Sequence, residues 1–140
     1  MVLEPYVFYY GRCEEALEFY KSVFGGSYDI MRNTDAPPGA PLTDEWKNKV
    51  MHSTFKAPGF QFMLSDGRPP AKKIDPEQGN ISLSIGADSE AEGARIVNAL
   101  GAGGNIDMPF EDAFWGGKFG QVTDKFGVEW MVVSGGPGSN

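Results

Sequence analysis

The chain has 140 residues, 41% of them apolar, which suits one domain whose core needs neither a disulfide nor a structural metal and excludes a two-domain enzyme. Twelve Lys and Arg against nineteen Asp and Glu give a formal charge of −7, so nucleic acid and anionic membrane surfaces are not expected partners. One cysteine, Cys13, rules out an intrachain disulfide or a cysteine zinc cluster, and the absence of a long apolar run or signal-peptide pattern predicts a cytoplasmic protein.

A first strand is expected at about residues 3–10, ending at Gly11. Cys13, Ala16, Leu17, Tyr20, Val23 and Phe24 then recur with helical spacing, predicting a helix over about 12–24 that Gly25-Gly26 stops. Strands follow at about 27–33, 48–57 and 60–65. Arg32 to Lys47 and Asp66 to Gly79 are read as loops because each carries three prolines, which remove ladder donors. A strand at about 80–87 leads to a helix at about 89–100. Its start, Ser89-Glu-Ala-Glu92, has the pattern of a capping box. Strands at about 105–108, 113–123 and 127–133 complete the chain, before a glycine-rich tail.

The second half repeats the first. Tyr6 to Ala16 lies over Ile81 to Ala91 at an offset of 75, and Gly59 to Ser65 lies over Gly127 to Val133 at an offset of 68. The organisation is therefore β-α-β-β-β twice, an α+β fold within one domain, 1–140. Module one covers about 1–66, a linker about 67–79, module two about 80–134 and a tail 135–140. There is no Gly-x-Gly-x-x-Gly, no phosphate-binding Gly-Lys-Ser/Thr loop and no Gly-x-Ser-x-Gly elbow. Gly101-Ala-Gly-Gly104 and Gly116-Gly117 read instead as turns or bulges.

Gly11-Arg-Cys-Glu-Glu-Ala-Leu-Glu-Phe-Tyr20, Val50-Met-His52, Met63-Leu-Ser-Asp66 and the run from Asp112 to Trp130 carry a resemblance. The chain resembles the vicinal oxygen chelate superfamily of glyoxalases, bleomycin-resistance proteins and dioxygenases, and within it the PhnB-like branch. The resemblance implies a curved eight-stranded mixed sheet around a cup, with helices on the outside. Relatives labelled demethylubiquinone methyltransferases fall in this branch, but no adenosylmethionine-binding loop is recognisable here. Metal-dependent members hold a divalent ion with residues of the first and last strands of each module. Those positions fall on Pro5, Asn80, Met63 and Met131, which are poor ligands for a hard ion. A slip of one or two residues would bring in Glu4 or Glu129 instead. No metal and no other cofactor is expected on this count, although a divalent metal through other positions stays open.

His52, the only histidine, is the side chain that titrates near neutrality. Set on the third strand, it is either an acid/base or hydrogen-bonding group in the cup or a strand histidine bonded to a neighbour. Gln61 and Glu129 are repeat partners with the strand parity of Met63 and Met131, and all four are candidates to face a ligand. Phe114 and Trp115, beside Gly116-Gly117, are candidates for an aromatic wall. Lys118 is a candidate partner for an anionic ligand, or for Asp124. Asp66 reads as a turn former. The expected protein is a homodimeric, metal-independent binder of a small-molecule ligand. The alternative is a metal-assisted lyase, isomerase or dioxygenase with His52 and Glu129 as catalytic residues, and a third possibility is a structural dimer with an empty cup.

Overall fold

The computed structural model describes residues 1–35, 43–72, 74–75, 77 and 79–135. Two compact units, Met1–Lys73 and Ile74–Asn140, make up the chain. The first unit contains β1 (Tyr6–Phe8), α1 (Cys13–Phe24), β2 (Ser27–Arg32), a 3-10 turn (Asn33–Asp35), α2 (Asp44–Lys47), β3 (Val50–Ala57) and β4 (Phe60–Ser65). Its sheet runs β1-β4-β3-β2, with β1 parallel to β4 and the other pairs antiparallel. The second unit contains β5 (Leu83–Gly86), α3 (Glu90–Gly101), β6 (Asn105–Asp112), β7 (Lys118–Thr123) and β8 (Glu129–Ser134). Its sheet runs β5-β8-β7-β6 with the same pairing directions. The fold is thus α+β, a βαβββ unit made twice, each with a four-stranded mixed sheet.

Strand alternation gives each sheet two unlike faces. In the first unit Val7, Leu64, Ser53 and Ile30 form one cross-strand row, beside Phe62, Phe55 and Tyr28. This face receives Cys13, Ala16, Leu17, Tyr20 and Val23, the buried stripe of α1. Tyr20 meets Phe55 and Phe62 with ring centroids 6.4 and 5.8 Å apart, and Tyr9 donates its hydroxyl to that of Tyr20 at 3.0 Å. Each large side chain buried there stabilises the unit by roughly 1.5–3 kcal/mol before entropy is counted. In the second unit Trp130, Val122 and Val132 are buried on the face shared with Ile96, Val97 and Leu100 of α3.

Registry corrects the sequence alignment of the halves. Tyr6 pairs with Met63 and Ser84 pairs with Met131, so the first strands superpose at an offset of 78, not 75. The offset of 68 between β4 and β8 stands. The error came from matching Gly11 to Gly86: Gly11 is a turn residue with φ 115°, whereas Gly86 lies inside β5. True equivalents are Gly26 and Gly104. An added Cβ would lie 2.1 Å from the Lys56 carbonyl oxygen in one and 2.3 Å from that of Thr123 in the other, so both helices return to the sheet at a point only glycine tolerates.

Three expected elements differ. The stretch read as loop between Arg32 and Lys47 contains the 3-10 turn and α2, because the Thr43 hydroxyl caps the amide of Trp46 and the Trp46 ring is buried. Its three prolines lie outside the described residues. The strand expected at about 113–123 begins only at Lys118, and β6 instead runs on to Asp112. Gly116 and Gly117 have φ of 100° and 72°, so residues 113–117 turn the chain between these strands. The expected capping box is half formed: Ser89 accepts from the Glu92 amide at 3.1 Å, but the Glu92 carboxylate goes to Arg95.

Candidate functional site

The face of the first sheet away from α1 carries Tyr6, Met63, Thr54 and Asp29 in one cross-strand row and Gln61, Lys56 and Ser27 in the next. His52 and Met31 are paired in the row on the other side, as are Phe8 and Ser65. Tyr6 and Phe8 on one edge strand and Met31 on the other remain 40, 43 and 46% exposed, a large share for such side chains. Tyr6 and Phe8 lie 5.2 Å apart, and Phe8 stacks on Tyr10 at 6.1 Å. Gly67 makes room for this ladder, since a Cβ there would lie 3.2 Å from the Phe8 ring. His52 joins through its Nδ1, hydrogen-bonded to the Tyr6 hydroxyl at 3.0 Å.

Three of the candidates read from the sequence therefore share one face: His52, Gln61 and Met63. Gln61 donates through Nε2 to Glu4 Oε1 at 2.7 Å. The aromatic ladder beside them was legible as alternation in Tyr6-Val-Phe8-Tyr-Tyr10, but the rings beside Gly116 drew the choice instead. In the second unit the equivalent face carries Ser84, Met131, Gln121 and Met108, followed by Glu129 and Thr123. Glu129 accepts from the Ser82 hydroxyl at 3.3 Å. Ser82 is the repeat equivalent of Glu4, so Gln61–Glu4 and Glu129–Ser82 are one polar contact made twice.

Phe114 sits at the tip of the β6–β7 connection, 97% exposed. Trp115 packs edge-on against it at 4.9 Å and against Phe119 at 5.6 Å. Phe119 shares a row with Val133 and Gly86 on the face of Met131, so Trp115 reaches that face through Phe119. Lys118 does not share this face: it pairs with Ser134, on the parity of Gly120 and Val122, and its Nζ lies 3.9 Å from Glu90 of α3. Strand parity sends it toward the helix, and its carboxylate partner is Glu90, not Asp124.

Asp66 is a buried bridge and not a turn former. Its Oδ1 accepts from the amides of Gly11 at 2.8 Å and Cys13 at 2.7 Å, and Oδ2 accepts from Val50 at 2.8 Å. It occupies the Cys13 amide at the start of α1 and the Gly11 amide in the turn before it, and sets its own negative charge where a phosphate would need to sit. The fold around β1 and α1 thus does not fit a bound methyl donor of that kind. Burial, and then the Asp66 charge, push the Cys13 thiol far up, which leaves it a neutral core group.

The divalent ion of related folds fares no better. With register corrected, Pro5 and its equivalent Leu83 lie on the helix-side parity, and Tyr6 and Ser84 flank Met63 and Met131. A phenol beside a thioether in the first unit, and a hydroxyl beside a thioether in the second, are each poor donors for a hard divalent cation. Among the described residues no three His, Cys, Asp or Glu side chains gather to hold a metal ion.

A family model described as 3-demethylubiquinone-9 3-methyltransferase matches residues 2–133. Protein YjdN of Escherichia coli (strain K12) is 30% identical over 94% of both chains. The crystal structure of protein PA1353 from Pseudomonas aeruginosa is 36% identical, covers 96% of this chain and 97% of its own, and superposes with a TM-score of 0.81. The PhnB protein from Bacillus cereus is 27% identical over 96% of this chain and 100% of its own, with a TM-score of 0.74. At the level of fold alone, the glyoxylase/bleomycin resistance protein/dioxygenase domain from Frankia sp. EAN1pec covers 96% of this chain and 97% of its own, at 14% identity and a TM-score of 0.65.

Proposed function

The chain belongs to the 3-demethylubiquinone-9 3-methyltransferase family, the PhnB-like branch of the vicinal oxygen chelate superfamily, and from that premise we propose that it is a metal-independent binder of a flat aromatic small molecule. The observation that carries this reading is the face built by Tyr6, Phe8, Met31 and Met63 around the His52–Tyr6 hydrogen bond. Rings and thioethers offer a polarisable apolar floor, and one hydrogen-bonding group sets orientation, which is the usual economy of a small-molecule site. With Nδ1 engaged by Tyr6, the Nε2 atom of His52 is the one that meets a hydroxyl or carbonyl on the ligand. Gln61 supplies a second polar contact beside Met63. On the second unit Met131, Glu129 and Trp115 are the corresponding contacts, with Phe114 at the rim. Methyl transfer is not part of the reading, because the Asp66 carboxylate already sits at the entry to α1 on the Gly11 and Cys13 amides.

The test uses protein treated with a chelator and titrated with 2-naphthol, a flat ring with one hydroxyl, by calorimetry. Saturable binding that His52→Ala weakens about tenfold, as the loss of one buried hydrogen bond does, is the expected result. Binding that appears only after a divalent ion is restored contradicts it. The His52–Tyr6 bond also suits an acid/base, so turnover that requires both His52 and Glu129 would favour the enzymatic reading. The protein is further taken to be a homodimer: β6 is an edge strand, with Ile106 and Met108 39 and 48% exposed on its two faces, and such an edge is what a second copy covers. Sedimentation at micromolar concentration reports it.

A further inference from the structure

A cavity of about 350 Å3 opens in the first unit off the aromatic face, around the entry to α1. Seven of its ten lining residues are ionisable: Arg12, Arg32 and Lys49 against Glu14, Glu15, Glu45 and Asp66. Most of these charges are already matched. Arg32 grips both oxygens of Glu14 at 3.0 and 2.9 Å and also donates to the Asn48 carbonyl. Arg12 pairs with Glu15 at 2.8 Å. Asp66 is satisfied by three amides. Through its hydrogen bond Arg32 holds the Glu14 carboxyl below the usual carboxylate range, so that pair stays ionised at neutral pH.

Two charges are left. Lys49, half-buried, acts on Glu14 at longer range but donates from Nζ to the neutral Gly11 carbonyl at 2.9 Å, and among the described residues its other two donors have no hydrogen-bond partner. Glu45, on the exposed side of α2, makes no ion pair among the described residues. A lone anion at Lys49 would meet a lining with one more carboxylate than cations, and a lone cation at Glu45 would share that lining with Lys49, Arg12 and Arg32. A molecule with one charge of each sign relieves both. We propose that this cleft binds a small zwitterion of the amino-acid class, its carboxylate on Lys49 and its ammonium on Glu45. The volume exceeds that of the smallest amino acids and leaves space for a side chain.

The experiment is an amide-resolved NMR titration of the full chain with L-alanine, and separately with propionate and ethylamine, which keep one charge each. Saturable shifts at the Gly11, Asn48 and Lys49 amides with alanine are expected, with propionate and ethylamine at least about tenfold weaker. E45Q, on an exposed helix and safe for folding, reduces alanine affinity about tenfold and brings it down to that of propionate. K49M has the converse effect, and K49R, which keeps the cation, retains binding. Propionate binding as tightly as alanine, an E45Q protein with unchanged affinity, or no saturable shift at these amides overturns the proposal.

Discussion

The two units share strand order, pairing direction and the glycine that lets each helix return to its sheet, yet they secure their folds differently. Each buries one carboxylate and satisfies it with three N–H donors: Asp66 in the first unit and Asp124 in the second. Asp66 stands at the far end of β4 and reaches residues distant in sequence, tying the start of α1 to the start of β3. Asp124 stands at the near end of the last hairpin and, among the described residues, accepts from its neighbours, the amides of Phe126 and Val128 and the indole N–H of Trp130. Where the first unit has Asp66, the second has Ser134, whose buried hydroxyl has no partner in the described structure. The helix start that Asp66 would have capped is instead capped locally, by Ser89. The two units thus share topology but place the buried carboxylate differently, after β4 in one and before β8 in the other.

The comparison is most exposed to Asp66→Ala, which strands three amide donors at once. Unfolding in urea should show a loss of roughly 3 kcal/mol or more, or no folded first unit at all. Asp124→Ala should cost somewhat less, about 2–3 kcal/mol, with the Trp130 fluorescence altered because its indole partner is gone. If Asp124 proves costlier than Asp66, the ranking of the two carboxylates is wrong. Ser89→Ala removes one cap and should cost about 1 kcal/mol. Ser134→Ala should be neutral or stabilise by up to about 1 kcal/mol, since an unpaired buried hydroxyl is deleted. The smallest effect concerns Glu14. Its folded pKa is lowered, chiefly by the Arg32 hydrogen bond, so its contribution is present above the ordinary value of 4.5 and is lost as pH falls through the folded value. Both side chains are partly exposed, 34% for Arg32 and 53% for Glu14. Comparison with Glu14→Gln should therefore show only a few tenths of a kcal/mol, confined to acid pH.

Topology was legible because its signals are local: the apolar stripe of α1, the serine before α3 and the glycines that end both helices. Register was not, because a conspicuous glycine in a strand passed for the glycine of a turn. The role of Asp66 could not be read at all, since its partners are set by folding and lie 16 to 55 residues away. His52, Gln61 and Met63 fell on one face because alternation is a reliable property of strands. Lys118 lies on the parity of Gly120 because β7 starts at that residue, and this carries it toward Glu90. Prolines hid α2, whose Thr43 cap and buried Trp46 were visible signals outweighed by their surroundings.

The central claim, that the open face of the first unit takes a flat ligand without a metal, is tested most directly by a crystal structure of the protein grown with 2-naphthol and a divalent cation together. The account predicts ring density against Tyr6 and Phe8 with its oxygen at His52 Nε2, and no cation beside Met63. A cation coordinated there, with the ring absent or bound through the metal, would contradict it.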